Sequence, residues 1–253
     1  MERSEPALEV CVESLSGLHA ACAGGADRIE LCSALSLGGL TPSAGLLHLA
    51  TQSPLPIFVM IRPRAGDFIF SPDEEDMMSR DIEAVASNGL SGVVLGAAKP
   101  DGHLDTDALG RLLDHARAQG IHHATLHRVF DLSPDPLRSL EEAITLGFDS
   151  ILTSGSARTA EAGKIMLRTL REKAGNRIAI MAGGGVTPRN AVSLLAETGV
   201  HALHSSCRDI SSPGMTPPSI DALQFGARPD ETSSAVVHAL RTAIRNFVST
   251  GEK

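Results

Sequence analysis

The stretch LEVCVESLSGLHAACAGGADRIELC, residues 8–32, carries one small pattern twice, as Glu9-x-Cys11 and Glu30-x-Cys32. Carboxylates exchange protons, whereas thiolates are soft metal ligands, so the doubled motif points to two chemistries. Two thiolates beside the thioether of Met60 and the imidazole of His127 are soft ligands suited to Cu(I) or Zn, and two-coordinate thiolate binding favours Cu(I). A structural zinc would ask for four ligands, and no close CxxC pair supplies them. The plainer reading of Cys11 and Cys32 is two small buried hydrophobes. Of the other cysteines, Cys22 reads as a helix-packing residue and Cys207, in HSSCR, as a bystander after the last strand.

A second group of residues points to anions. AGGGVTPRN carries Gly183, Gly184 and Gly185 into a helix expected to start at Thr187 and Pro188, where free backbone N–H groups favour an anion. A tight turn alone would need fewer glycines. TSGSA (153–157) adds the Ser154 hydroxyl and Gly155 in a second exposed turn. Arg62 and Arg64 flank Pro63 in MIRPRAGDFIF, which reads as a lid carrying charge, Asp67 included, over a site; a solvated charged loop is the alternative. In LHRVFD, His127 is followed by Arg128 and Asp131. The candidate catalytic set is Glu9, Glu30, Arg62, His127 and Arg128. The candidate anion-binding set is Arg64, Ser154, Gly155, Gly183, Gly184, Gly185 and His204.

What positions them is a regular alternation. Short β-branched runs fall at 8–12, 28–32, 57–62, 92–96, 122–127, 149–153, 178–182 and 201–206. Helical patterns follow at 14–23, 42–51, 73–88, 105–119, 135–146, 158–174, 188–198 and 231–249. Eight β/α units in 253 residues predict an α/β fold, a single (β/α)8 barrel over 1–253, rather than an open doubly wound sheet. The loops after strands 3 and 8, the latter spanning 208–230, are long and belong to the active-site end of such a barrel.

Alternation along each strand then sorts the side chains. Glu9, Cys11, Glu30, Cys32, Phe58, Met60, Arg62, Thr125, His127, Ala202 and His204 are expected inside. That places the two carboxylates in a lower layer and the two thiols in an upper one, on strands about 4.8 Å apart. Buried carboxylates need partners, and Arg62 and Arg128 are the expected partners of Glu9 and Glu30.

Composition excludes other classes. A net charge of −8 leaves no basic face for nucleic acid. The absence of Trp and Tyr, with only 7 Phe, removes a base-stacking platform. No apolar run approaches the ~20 residues of a membrane span. The charged start MERSEPALEV has no apolar signal region, and four cysteines without framework spacing fit a reducing compartment, so a cytoplasmic protein is expected.

The chain resembles the CutC family, named for copper homeostasis. The resemblance rests on EVCVES, GGADRIELCSALSLGGLTPS, FVMIRPRAGDF, DGHLD, LHRVFD, LTSG, GGGV and HSSCR, in order over about 8–210. It implies a TIM barrel, a cytoplasmic homo-oligomer (dimer or tetramer), and copper bound as Cu(I) by Cys11 and Cys32. It transfers no established catalytic role. Three positions depart from the family pattern: Ala182 stands for Pro before GGG, Val129 for Ala in HRAFD, and Cys207 for Ala in HSSAR. Two functions are therefore expected: a Cu(I) site on two thiols, or a barrel enzyme acting on a small anionic or phosphorylated metabolite. Two buried glutamates, three arginines and a glycine-rich turn exceed what copper alone would need. A barrel serving only as an oligomeric scaffold fits the polar interior least.

Overall fold

A computed structural model describes residues 5–209 and 230–250. Eight parallel strands close into a barrel in sequence order: β1 (Ala7–Val12), β2 (Arg28–Leu31), β3 (Ile57–Met60), β4 (Gly92–Leu95), β5 (His123–Leu126), β6 (Ser150–Thr153), β7 (Ala179–Ala182) and β8 (Ala202–Ser205). The α-helices among the described residues are α1 (Leu15–Gly24), α2 (Ala44–Ala50), α3 (Pro72–Ser87), α4 (Thr106–Ala118), α5 (Pro136–Leu146), α6 (Lys164–Ala174), α7 (Ala191–Thr198) and α8 (Ser234–Thr250). Most of the expected long loop, residues 210–229, lies outside the described residues. No described helix is long and apolar enough to cross a membrane.

The main apolar core fills the shell between strands and helices. Leu8, Val10, Ile29, Leu31, Val59 and Leu126 meet Leu18, Met78, Ile82, Leu109 and Leu112 there. Local chemistry starts the helices: Ser14, Ser43, Asp105 and Asp135 accept backbone N–H groups as N-caps. At Ser71 a full capping box with Glu74 opens α3 behind Pro72.

Three helices begin three or more residues later than expected: α6, α7 and α8, the last at Ser234 rather than 231. Residues 158–163 are not helical, because the chain first packs backbone against backbone: a Cβ on Gly155 would lie 2.4 Å from the Gly163 carbonyl oxygen. Likewise α7 starts at Ala191, not Pro188. Asn190 folds back, its Oδ1 accepting the Thr187 N–H at 2.8 Å, and 187–190 form a turn.

Register also corrects the expected layering of the motifs. In the β1–β2 pair Cys11 is level with Glu30 and Glu9 with Arg28, and across β8 Glu9 is level with His204. The strand stagger that closes a barrel displaces like positions by one inward step. The repeated Glu-x-Cys therefore makes no pair of carboxylates under a pair of thiols. It makes a staircase.

Candidate functional site

At the floor of the barrel mouth, Glu9 is wholly buried and bound on both carboxylate oxygens. Its Oε2 accepts from Arg28 Nε at 2.5 Å, and its Oε1 lies 2.7 Å from His204 Nδ1. Burial opposes the Glu9 charge, yet Arg28 and His204 together hold its carboxyl below the usual range. His204 in turn leans on the other side toward Glu30, with Nε2 3.7 Å from Oε2, and it hydrogen-bonds Cys11. Burial disfavours the imidazolium, but Cys11, Glu30 and Glu9 outweigh it and raise His204 well above its ordinary value. Glu30 moves the opposite way from Glu9. Burial and the neighbouring Glu9 charge raise its pKa, and its Oε1 has no hydrogen-bond partner.

Arg28 is the partner the sequence reading missed, and it replaces Arg62 and Arg128 in that role. Its Nη2 reaches Ser150 Oγ at 3.4 Å and its guanidinium stacks on Phe58, 4.4 Å from the ring centre. The signal was present: Arg28 shares strand parity with Glu30 and Cys32. Beneath, Thr125 and Ser150 share a 2.8 Å hydroxyl contact that satisfies both.

The expected arginine partners are spent elsewhere. Arg62 is buried, donating to the carbonyls of Leu37, Gly39 and Gly66 at 2.9, 3.1 and 2.9 Å. It ties the two loops over the mouth together. Its guanidinium also stacks on Phe68, whose other neighbour is the His127 ring, 4.9 Å between centres. Arg64 leaves the site: it pairs with Glu74 and with Asp67 at 2.9 Å. The lid charges are therefore neutralised on the outer face, and only Arg62 and Phe68 of that loop line the cavity.

His127 is held by its own chain turn. The Val129 N–H donates to its Nδ1 at 3.0 Å, and its buried Nε2 has no partner. Burial, helped by Arg62, pushes its pKa down to about 3, so the ring is neutral at physiological pH. His127 therefore presents a fixed, neutral hydrogen-bonding group to the cavity. The ring fits only because residue 96 is glycine: a Cβ there would come within 2.1 Å of His127 Cε1.

Around the other side, Arg128 donates to Asp131 Oδ2 and Ser154 Oγ, each at 2.8 Å. Asp131 also accepts from the backbone N–H groups of Ser154 and Ser156. Ser154 and Gly155 thus form a buried brace for Arg128, not an exposed anion turn. Gly183 is also buried, its N–H bound to Thr153 O at 2.9 Å. The cradle narrows to Gly184 and Gly185, with φ of 94° and 77°, a conformation natural to glycine. Both line the cavity beside Arg128, whose Nη1 is 3.3 Å from where a Gly184 Cβ would stand.

These groups enclose a cavity of about 1000 Å³. Cys11, Glu30 and His204 form its floor, Arg62, Phe68 and His127 one wall, and Arg128, Gly184 and Gly185 the opposite rim. Cys207 and Arg208 also line it, which puts Cys207 at the rim.

A Cu(I) ion held by Cys11 and Cys32 would have to meet these donors. Cys32 lies behind the floor, wholly buried with Phe58, Met60 and Val94, its thiol donating to Glu30 Oε2 at 3.5 Å. Burial and the Glu30 charge push that thiol well above its ordinary pKa. Two thiolates here would face two buried carboxylates, so Cys11 with Cys32 fits Cu(I) poorly as a pair. Among the described residues, the donors within 4.8 Å of one another are those of Cys11, Glu30 and His204.

The CutC family model matches residues 7–209. The family protein CutC of Agrobacterium fabrum is 50% identical over 239 residues, covering 94% of this chain and 93% of that one. Among solved structures, CutC of Streptococcus agalactiae superposes with a TM-score of 0.75 at 35% identity, over 79% of this chain and 98% of that one. Thiamine phosphate pyrophosphorylase of Pyrococcus furiosus, at 19% identity and TM-score 0.58 over 97% and 98% of the two chains, shares the fold alone. Half-identity across nearly the whole chain, together with the family match, makes this protein a member of the CutC family.

Proposed function

We propose that the protein is a barrel enzyme acting on a small anionic metabolite, with phosphorylated compounds the leading class. The observation that carries the reading is a 1000 Å³ cavity whose wall and floor hold buried polar atoms without partners, Glu30 Oε1 and His127 Nε2. Buried polar groups left unmade cost about 1–3 kcal/mol each, and they are tolerated where a ligand completes them. The substrate's anion sits at Arg128, Gly184 and Gly185, and its reacting part lies over Glu30 and His204. In the metal-free protein the floor offers acid–base work: His204 carries a proton, and Glu30, raised by burial, exchanges one closer to neutral pH. Glu9 holds His204 in place.

A second reading is a cytoplasmic Cu(I) site built on Cys11 and Cys32. It is supported by the family resemblance, by the Streptococcus agalactiae relative put forward as a copper homeostasis protein, and by the free Cys11 thiol on the floor beside His204. The position of Cys32 weighs against it. Homo-oligomerisation and a cytoplasmic setting rest on the resemblance, and the Cu(I) reading needs both thiols reduced.

The test is a screen of phosphorylated metabolites for thermal stabilisation, followed by mass analysis of stabilising compounds for conversion. The enzyme reading expects stabilisation and turnover, with turnover lost in Glu30→Gln. Absence of both, alongside tight one-to-one Cu(I) uptake abolished by Cys11→Ser/Cys32→Ser, would replace it with the second.

A further inference from the structure

We infer that the cavity floor is a site for a single zinc-like divalent ion, held by Cys11 Sγ, Glu30 and His204 Nε2, with Glu9 as the residue that orients the histidine. The three donor atoms lie within 4.8 Å of one another, the reach of one ion, and all three residues open onto the cavity. One sulfur, one nitrogen and one oxygen are a borderline-soft set, which suits Zn2+ better than Cu(I) or Mg2+. Three protein ligands with the fourth direction open to a cavity are the arrangement of catalytic rather than structural zinc sites.

Two further observations point to an ion. Glu30 is 2% exposed, and its Oε1 has no partner. His204 gives Nδ1 to the Glu9 carboxylate at 2.7 Å, leaving Nε2 turned toward Cys11 and Glu30. A carboxylate behind a histidine is how metal-binding imidazoles are held in one tautomer and one orientation. Charge also balances. Arg28 answers Glu9, and a dication answers the Glu30 carboxylate and a Cys11 thiolate in place of the proton that His204 carries in the empty site. Cys32 takes no part, being behind Glu30.

The inference deepens the anionic-substrate reading, on which its use rests: a bound ion would change the floor from proton exchange to polarisation of a water or a substrate oxygen. The site itself is tested separately. Full-length protein stripped of metal is titrated with Zn2+ alone and then with Co2+, whose thiolate-to-metal absorption reports sulfur ligation. One ion per chain is expected, with the Co2+ charge-transfer band lost in Cys11→Ser and kept in Cys32→Ser. Zinc affinity is expected to fall about 10- to 100-fold in Glu9→Gln, if that variant folds, because its effect is that of an outer partner, and in Glu30→Gln by at least as much. No stoichiometric binding, or a band that survives Cys11→Ser or depends on Cys32, overturns the site. Phosphate stabilisation through Arg128, measured on the same samples, separates the two claims. If it persists without zinc binding, only the metal site falls. If it fails while zinc binds, the substrate reading falls and the site stands.

Discussion

Glu9 Oε1 lies 2.7 Å from His204 Nδ1 although 195 residues separate the two in sequence. Closure of the barrel between its first and last strands creates that contact, since Glu9 is paired in register with His204. The polar floor therefore exists only in the closed barrel, and its central carboxylate also neutralises Arg28.

Glu9→Gln is expected to destabilise the fold by about 3 kcal/mol, because it leaves Arg28 facing the interior without its charge partner. Urea unfolding at neutral pH measures this. A loss under about 1 kcal/mol would show that water screens Arg28 well enough to do without Glu9.

His127 should imprint itself on the pH dependence of stability. In the folded protein its pKa is about 3, against about 6.5 in an unfolded chain. Between those values the unfolded state binds a proton that the folded state refuses, so the contribution is full above about pH 6.5 and is lost as pH falls toward 3. Comparing urea midpoints at about pH 4.5 and 7, His127→Gln should lose less stability on acidification than the wild type. Equal losses would place the acid sensitivity elsewhere.

Much of this architecture was legible in sequence. Strand parity placed Glu9, Cys11, Glu30, His127 and His204 inside, because hydrophobic partners such as Val10 and Ile29 had to face the helices. What parity leaves undetermined is the stagger between strands, a property of barrel closure. That is why Cys11 was expected level with Cys32 and stands level with Glu30. Arg28 was overlooked as the first residue of its strand, although it follows the same alternation. Loop arginines were the least legible. Arg62, Arg64 and Arg128 each found carbonyls or carboxylates within a few residues or on a neighbouring loop, and long flexible side chains leave no periodic trace of that choice.

Arg128→Ala should weaken binding of inorganic phosphate at least tenfold, the loss of one charged hydrogen bond of about 1.5–3 kcal/mol. Arg128→Lys should restore part of it, since charge is kept and the fork to Asp131 and Ser154 is not. Calorimetric titration gives both values. Unchanged affinity in Arg128→Ala would remove this residue from the anion site.

Gly184→Ala should strain the rim by about 1–2 kcal/mol, as an L-residue is forced to the φ of 94° seen here. It should also push against the Arg128 guanidinium, 3.3 Å from the added carbon. Stability by thermal melting should fall modestly, and phosphate affinity more. Gly120→Ala provides the comparison, with a similar φ of 84° but nothing within 4 Å of an added Cβ: it should cost stability and leave anion binding alone.

The most direct measurement is a crystal structure of the protein soaked with inorganic phosphate. The account predicts a phosphate in the cavity mouth, bound by Arg128 and the backbone at Gly184–Gly185, and missing from the Arg128→Ala crystal. A mouth free of phosphate at saturating concentration, or an ion unmoved by Arg128→Ala, would contradict it.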